Sequence, residues 1–353
     1  MLSVLQYLST NTNGTQVVKV RHPIAKEKSR ISDHAKRRIM QLALDPRMTF
    51  KLIAEEVRLS RTSVIKIFYE TLPHHNPILP SVLSLDEVYL GRKSKRKFSV
   101  VLMNFQTHEV IDLIYGRSVD DCISALDSFT PEERSVVRYI SSDMYKGFFK
   151  LAARRFPNAL ICVDSFHIIK LINDAFRNHI VSIMKKHDNK SIEYYLLKNY
   201  RYLLFKDSSE IEWINRNYNR KLKYYISNTK LLGLVVDTDS NIKISYLLKN
   251  RYIKFNKMRF DKDNGSLKIR AELKELITEF ANSELSDFRR ISNTLNQNSE
   301  YIINSFTRIN GKRISNGPIE SRNATIKMIL KTSGGYRNFE HLRRRALYVL
   351  NKK

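Results

Sequence analysis

Residues 82–115 read VLSLDEVYLGRKSKRKFSVVLMNFQTHEVIDLIY, and the fold turns on this stretch. Three runs within it, 82–90, 97–105 and 109–115, are β-branched or alternate apolar with polar positions, the period of a strand. Turn material at 91–96 and around 106–108 separates them, so they are expected to pair as an antiparallel meander. The pattern then alternates: a helix over 120–129, a strand over 136–142, a helix over 145–155 and a strand over 159–163. Strand–helix–strand alternation adds parallel strands to the same sheet. The expected core is a mixed α/β sheet.

Upstream, residues 1–30 carry no clear period and read as a flexible basic lead-in. Residues 31–72 turn helical, with three apolar faces: Ala35, Ile39 and Leu42, then Phe50, Ile53, Ala54 and Val57, then Val64, Ile65 and Phe68. Pro46 separates the first two helices, while Thr49 and Ser60 are placed to cap the second and third. The short turn Leu59-Ser60, followed by Arg61, Thr62 and Ser63 with Lys66 one turn on, has the pattern of a helix-turn-helix. Such an element points the start of its second helix at base edges and phosphates. An ordinary three-helix packing unit would give the same pattern without DNA. Pro73, Pro77 and Pro80 mark 73–81 as a linker to a catalytic domain over 82–353.

Downstream of 163, Leu, Ile, Tyr, Lys and Arg recur at helical spacing, and a mostly helical, basic insertion is expected over about 168–308. Its Trp213 and its tyrosines read as core rather than as base-stacking platforms. A late helix over 319–330 is opened by Pro318 and ended by Gly334-Gly335, and a basic helix over 339–350 follows.

The chain has 353 residues, and 62 Lys and Arg against 35 Asp and Glu leave a formal net charge of +27. That surplus calls for a polyanionic partner, nucleic acid before an anionic membrane surface. Cys122 and Cys162 are the two cysteines and form no CxxC, which excludes a zinc ribbon or a disulfide framework. No apolar run approaches the roughly 18 residues of a membrane span, no signal peptide opens the chain and no P-loop is present. Reduced thiols in a cytosolic protein are the simplest expectation.

Three carboxylates stand out. Asp86 lies inside the first strand, where an ionised group is costly unless paired. Asp143 ends the strand 136–142, and strand ends are where sites open on α/β sheets. Glu320 lies in the first turn of the late helix. On two strands and a helix of one sheet they could form an oxygen-rich site for two Mg²⁺ ions, the arrangement that clamps both oxygens of an in-line phosphoryl displacement. Ordinary roles fit too: a satisfied strand residue, a helix N-cap and a first-turn Glu favoured by the helix dipole. Glu87 should face away from Asp86, since successive strand residues alternate. Asp164 and His167 could support the site, or could be a helix cap and an interior imidazole. Arg92, Lys93, Lys95, Arg96 and Lys97 crowd one hairpin turn, either solvated or on a DNA backbone.

The local wording narrows these choices. Leu85-Asp86-Glu87, Ser142-Asp143-Met144-Tyr145, the run from Phe156-Pro157-Asn158-Ala159 to Val163-Asp164-Ser165-Phe166-His167, Ser315-Asn316-Gly317-Pro318-Ile319-Glu320-Ser321-Arg322-Asn323 and Gly335-Tyr336-Arg337-Asn338-Phe339 occur in this order. Together they resemble the ISL-three family of bacterial insertion-sequence transposases, from about residue 82 to the C-terminus. The resemblance implies an RNase H-like core interrupted by a helical insertion and a DDE triad at Asp86, Asp143 and Glu320. It also implies two Mg²⁺ ions (Mn²⁺ as a substitute) and double-stranded DNA as partner, both transposon ends and target; Asp164, His167, Asn316 and Asn323 are candidates for supporting roles. The expected assembly is a homodimer or larger. Members of the family usually begin with a cysteine-rich zinc-binding segment; this chain lacks one and reads as an N-terminally shortened copy. Two other readings share the composition: a catalytically inactive DNA-binding remnant, and a structure-selective nuclease on the same fold.

Overall fold

Hydroxyl caps open the first three helices. Ser32, Thr49 and Ser60 each turn a side-chain oxygen back to accept a backbone N–H, from Ala35, Leu52 and Ser63. These contacts belong to a computed structural model that describes residues 8–11, 14–17, 31–92, 94–207, 210–211, 215–259 and 265–352. Lys93, Trp213 and most of the expected lead-in lie outside the described residues.

The chain divides into two compact units: Met1–Ala159 with Asn316–Lys353, and Leu160–Ser315. The first unit begins with a hairpin, β1 (Leu8–Asn11) and β2 (Gly14–Val17), that the aperiodic sequence there did not predict. Helices α1 (Asp33–Leu42), α2 (Phe50–Val57) and α3 (Arg61–Thr71) follow. Next come β3 (Val82–Tyr89), β4 (Phe98–Asn104) and β5 (Val110–Tyr115), the expected meander. Then α4 (Val119–Leu126), α5 (Pro131–Ser135), β6 (Tyr139–Ser142) and α6 (Lys146–Arg155) complete the stretch before the second unit. The strand expected from 136 starts three residues late. The Thr130–Glu133 capping box and Pro131 make a short helix of the residues before it.

The second unit contains β7 (Leu160–Val163), α7 (Ser165–Met184), α8 (Ile192–Tyr200), a 3₁₀ turn, β8 (Arg216–Asn219), β9 (Tyr224–Ser227) and α9 (Asn228–Val236). It continues through α10 (Ser240–Lys257), α11 (Gly265–Ala281), α12 (Ser286–Gln297), α13 (Ser299–Asn304), β10 (Arg308–Ile309) and β11 (Lys312–Arg313). It is mostly helical, as expected, but the β8–β9 hairpin interrupts it. Along α7, Ile168, Ile172, Phe176, Ile180 and Ile183 are buried at helical spacing and face its core. Arg313 is a half-buried anchor: it donates to Asn256 O, Asn256 Oδ1, Ser305 O and Ser305 Oγ, and lies 3.8 Å from the Phe306 ring centroid.

After this unit the chain re-enters the first with α14 (Gly317–Thr332) and α15 (Phe339–Asn351). Within the first unit the sheet is mixed, in the order β5-β4-β3-β6, with β3 antiparallel to β4 and parallel to β6. Helices α14 and α15 cover one face. Their Ile319, Ile326, Ile329, Leu342 and Leu347 pack with Val88, Val101, Met103 and Leu113 of the strands. On α15, Tyr348 belongs instead to the core of the three-helix bundle, beside Ile39, Ile53 and Phe68. Neighbouring Arg345 is 2% exposed, donates to Asp45 O and Met48 O, and lies 5.3 Å from the Phe68 ring centroid. The bundle therefore shares a core with the C-terminal helix rather than standing on the proline segment alone.

Candidate active site

Strand register brings the first two carboxylates level. In the parallel pair β3–β6, Ser84 lies opposite Ser141, so the positions two residues further along each strand are Asp86 and Asp143. Side chains two apart share a face, and Asp86 is the direct partner of Val101, one of the residues under α14 and α15. Asp86 is thus on the helix-covered face. Glu87 points the other way and pairs with Arg117 at 3.0 Å, as the alternation predicts.

Helix α14 is pinned to this level by two asparagines. Asn316, fully buried at its start, accepts from Ser141 Oγ at 2.5 Å and donates from Nδ2 to Leu85 O at 3.2 Å. One side chain so bridges β6 and β3 one residue before Asp86. Seven residues on, the Asn323 Nδ2 donates to Asp86 Oδ2 at 2.8 Å. Glu320 lies between them, and positions i, i+4 and i+7 share one side of a helix. The geometry therefore sets Glu320 on the side of α14 that meets β3 and β6. Its carboxylate is exposed and has no hydrogen bond or ion pair among the described residues.

The two aspartates are held by the backbone as well. Asp86 Oδ1 accepts the Glu87 N–H at 2.8 Å, and Asp143 Oδ1 accepts the Tyr145 N–H at 3.0 Å in a tight turn after β6. Asp143 does not cap α6, whose N-cap residue is Tyr145. Gly147 makes room for that turn: a Cβ there would come within 2.2 Å of the Tyr145 ring. Arg117 lies 5.6 Å from the Tyr145 ring centroid and 4.1 Å from that of Phe98. Its bond to Glu87, with the field of Glu87, Tyr145 and Asp143, raises its pKa and keeps it charged. Sequence reading did not single out Arg117, whose acidic partner is thirty residues away.

Asp164 and His167 belong to the second unit. Asp164 is buried and caps α7, its Oδ1 accepting the Phe166 N–H at 3.3 Å, and the half-buried His167 follows in the first turn. The helix-cap role considered for Asp164 is realised.

The basic residues divide. Ser63 is tied to the Ser60 cap and Lys66 pairs loosely with Glu70 at 3.9 Å, while Arg61 and Thr62 are exposed. In the β3–β4 turn, Arg96 pairs with Asp121 at 2.7 Å, whereas Lys95 and Lys97 are exposed. Arg61 and Arg92 line one cleft of about 1310 Å³ in the first unit, together with Lys51, Lys327, Lys331 and Arg337. In the second unit the tyrosines are not uniformly core. Tyr218, Tyr224 and Tyr225 are exposed, which corrects the expectation for them. Among the described residues, no helix is long and apolar enough to cross a membrane.

Comparison with known proteins gives one family. A family model described as a transposase, the ISL-three DDE type, matches residues 83–346. No curated protein matches the chain.

Proposed function

The chain belongs to the ISL-three family of transposases, and on that premise we propose that Asp86, Asp143 and Glu320 form the centre that cuts and joins DNA at insertion-sequence ends. The observation that carries this reading is the double pin of α14: Asn316 on β3 and β6, Asn323 on Asp86. It supports the reading because it anchors beside Asp86 the helix that carries Glu320, 177 positions beyond Asp143.

The donor set suits hard divalent cations, since all three candidates are carboxylates and no thiol or imidazole is among them. Glu320, without a protein partner among the described residues, and Asp143 Oδ2 are the oxygens left to a ligand. Asp86, Asp143 and Glu320 would hold two Mg²⁺, or Mn²⁺ in its place. When bound, the ions supply water activation and charge stabilisation at the scissile phosphate. The protein's part is placement. Asn323 fixes the plane of the Asp86 carboxylate, the Tyr145 N–H orients Asp143, and Asn316 sets the start of α14 and with it Glu320. The cations of the Arg61–Arg92 cleft and the start of α3, in a helix-turn-helix role, are assigned to the duplex backbone and base edges. Joining two ends calls for two such centres, hence a dimer or larger assembly on DNA.

Mn²⁺ titration of the purified protein tests the metal reading. Wild type should bind with the three carboxylates intact, and Asp143→Asn or Glu320→Gln should each weaken binding by about 10-fold or more. Unchanged Mn²⁺ affinity in both variants would remove the assignment.

A further inference from the structure

In the second unit, the two-stranded ribbon β8–β9 turns an aromatic and basic face to solvent. Its register pairs Arg216 with Ser227, Asn217 with Ile226, Tyr218 with Tyr225 and Asn219 with Tyr224. Alternation sends Asn217, Asn219, Tyr224 and Ile226 to one face and Arg216, Tyr218, Tyr225 and Ser227 to the other. The first face is the anchored one, with Ile226 3% and Asn219 5% exposed. Asn219 locks it in place. Its Oδ1 accepts from Lys221 N, Leu222 N and Tyr195 Oη, and its Nδ2 donates to Tyr200 Oη at 2.8 Å. Lys223, in the left-handed region at φ 61°, closes the turn by donating its N–H to Asn219 O at 2.7 Å.

On the second face Ser227 is buried and caps α9, whereas the two tyrosine rings have no such role in packing. Tyr218 is 53% and Tyr225 68% exposed, with ring centroids 5.3 Å apart at an interplanar angle of 61°. Two tyrosines side by side on a rigid ribbon leave apolar ring surface in water that folding does not use. Along the ribbon itself the charge has one sign. Residues 215–230 hold Arg216, Arg220, Lys221, Lys223 and Lys230 and no Asp or Glu. None of the five forms an ion pair among the described residues.

Cations select a polyanion, and exposed rings select one that offers flat, unstacked faces. An acidic peptide would satisfy the first requirement only, and an intact duplex hides its base faces in the stack. We infer that the β8–β9 ribbon is a binding site for unpaired DNA, with bases stacking on Tyr218 and Tyr225 and backbone phosphates meeting Arg216, Arg220, Lys221 and Lys223. That the polymer is DNA rests on the transposase reading; the stacking and the charge do not.

The test uses the full chain in metal-free buffer, so no strand is cut and a failure of the catalytic reading leaves the affinities untouched. A short single strand carrying 2-aminopurine and a blunt duplex of the same sequence are titrated. Wild type should quench the 2-aminopurine on binding. The double variant Tyr218→Ala, Tyr225→Ala should bind the single strand about 10-fold or more weaker, the loss expected for stacked bases, with duplex affinity unchanged. The matching double Phe variant should bind both like wild type, because it keeps the rings. Circular dichroism should report the same fold for all, since both positions are exposed. Wild-type affinity in the Ala variant, or binding without quenching, would overturn the proposal. Tighter binding of a single RNA strand of the same sequence, titrated alongside, would overturn DNA as the ligand. A changed oligomeric state with unchanged nucleic-acid affinity would assign the face to a second copy of the chain and overturn it as well.

Discussion

Asn323 donates one amide hydrogen to Asp86, and its Oδ1 is buried with no hydrogen-bond partner among the described residues. An unsatisfied buried polar atom costs about 1–3 kcal/mol, so the amide contributes little net stability and its role lies in the bond to Asp86. Asn323→Ala should therefore weaken Mn²⁺ binding and DNA cleavage by about 10–100-fold, the range for lost outer-shell partners, with the thermal unfolding midpoint little changed. A variant that lost only stability, with cleavage per folded molecule intact, would contradict the positioning role. The three carboxylates were legible because an acid in an apolar strand, at a strand end or in a first helical turn needs a reason. Asn316 and Asn323 were legible through the family wording, while Ser141, which donates to Asn316, was not. Nothing in its local sequence separates it from Ser142. The ribbon tyrosines were misread for the same reason: composition does not tell a ring facing the core from one facing water.

Element boundaries were legible where a hydroxyl cap, a proline or a glycine pair punctuates the chain, as at Ser60, Pro318 and Gly334-Gly335. The β8–β9 ribbon was not, because its strands are four residues each and the contacts that fix it come from Tyr195 and Tyr200 on other elements. Two buried cations offer tests of single elements. On α15, Arg345 is packed near Phe50 and Phe68 and caps carbonyls of the α1–α2 connection. Arg345→Ala should destabilise the first unit by about 2–4 kcal/mol, since it removes packing and leaves those carbonyls unpaired. Urea unfolding reads this, and an unchanged midpoint would show that the bundle does not depend on α15. On α10, Lys249 is 2% exposed, donates to Leu204 O at 2.5 Å, and burial pushes its pKa down to about 8, opposed by Asp207. Between pH 8 and the ordinary lysine value near 10.4 the unfolded chain holds a proton that the folded chain has released. Stability of the second unit should therefore rise with pH across that window and be flat below it. Lys249→Met should abolish the rise, and a fall in wild-type stability over the same window, relative to Lys249→Met, would contradict it.

At the scale of the whole molecule, a net charge of +27 makes DNA affinity strongly salt-dependent, whatever the chemistry. Replacing Arg61 and Arg92 with alanine should lower the slope of log affinity against log salt for duplex DNA by about 2, one for each phosphate contact. An unchanged slope would take the cleft residues off the backbone. The mixed sheet and the interrupting helical unit were legible at this scale: three strand runs in succession, strand–helix alternation after them, and a long interval between Asp143 and Glu320. What sequence pattern left open was how α14 returns to the sheet. That depends on hydrogen bonds between residues 175 and more positions apart, which no local period encodes. The central claim is that the three carboxylates on β3, just after β6 and on α14 form the centre that cuts DNA at insertion-sequence ends. Its most direct test is to incubate the purified protein with end-labelled DNA from the flanks of its own gene and Mg²⁺ or Mn²⁺, beside Asp143→Asn. The account predicts site-specific, metal-dependent nicking by the wild type alone, with DNA binding retained in the variant. Nicking that survives in Asp143→Asn, or binding without cleavage by the wild type, would contradict it.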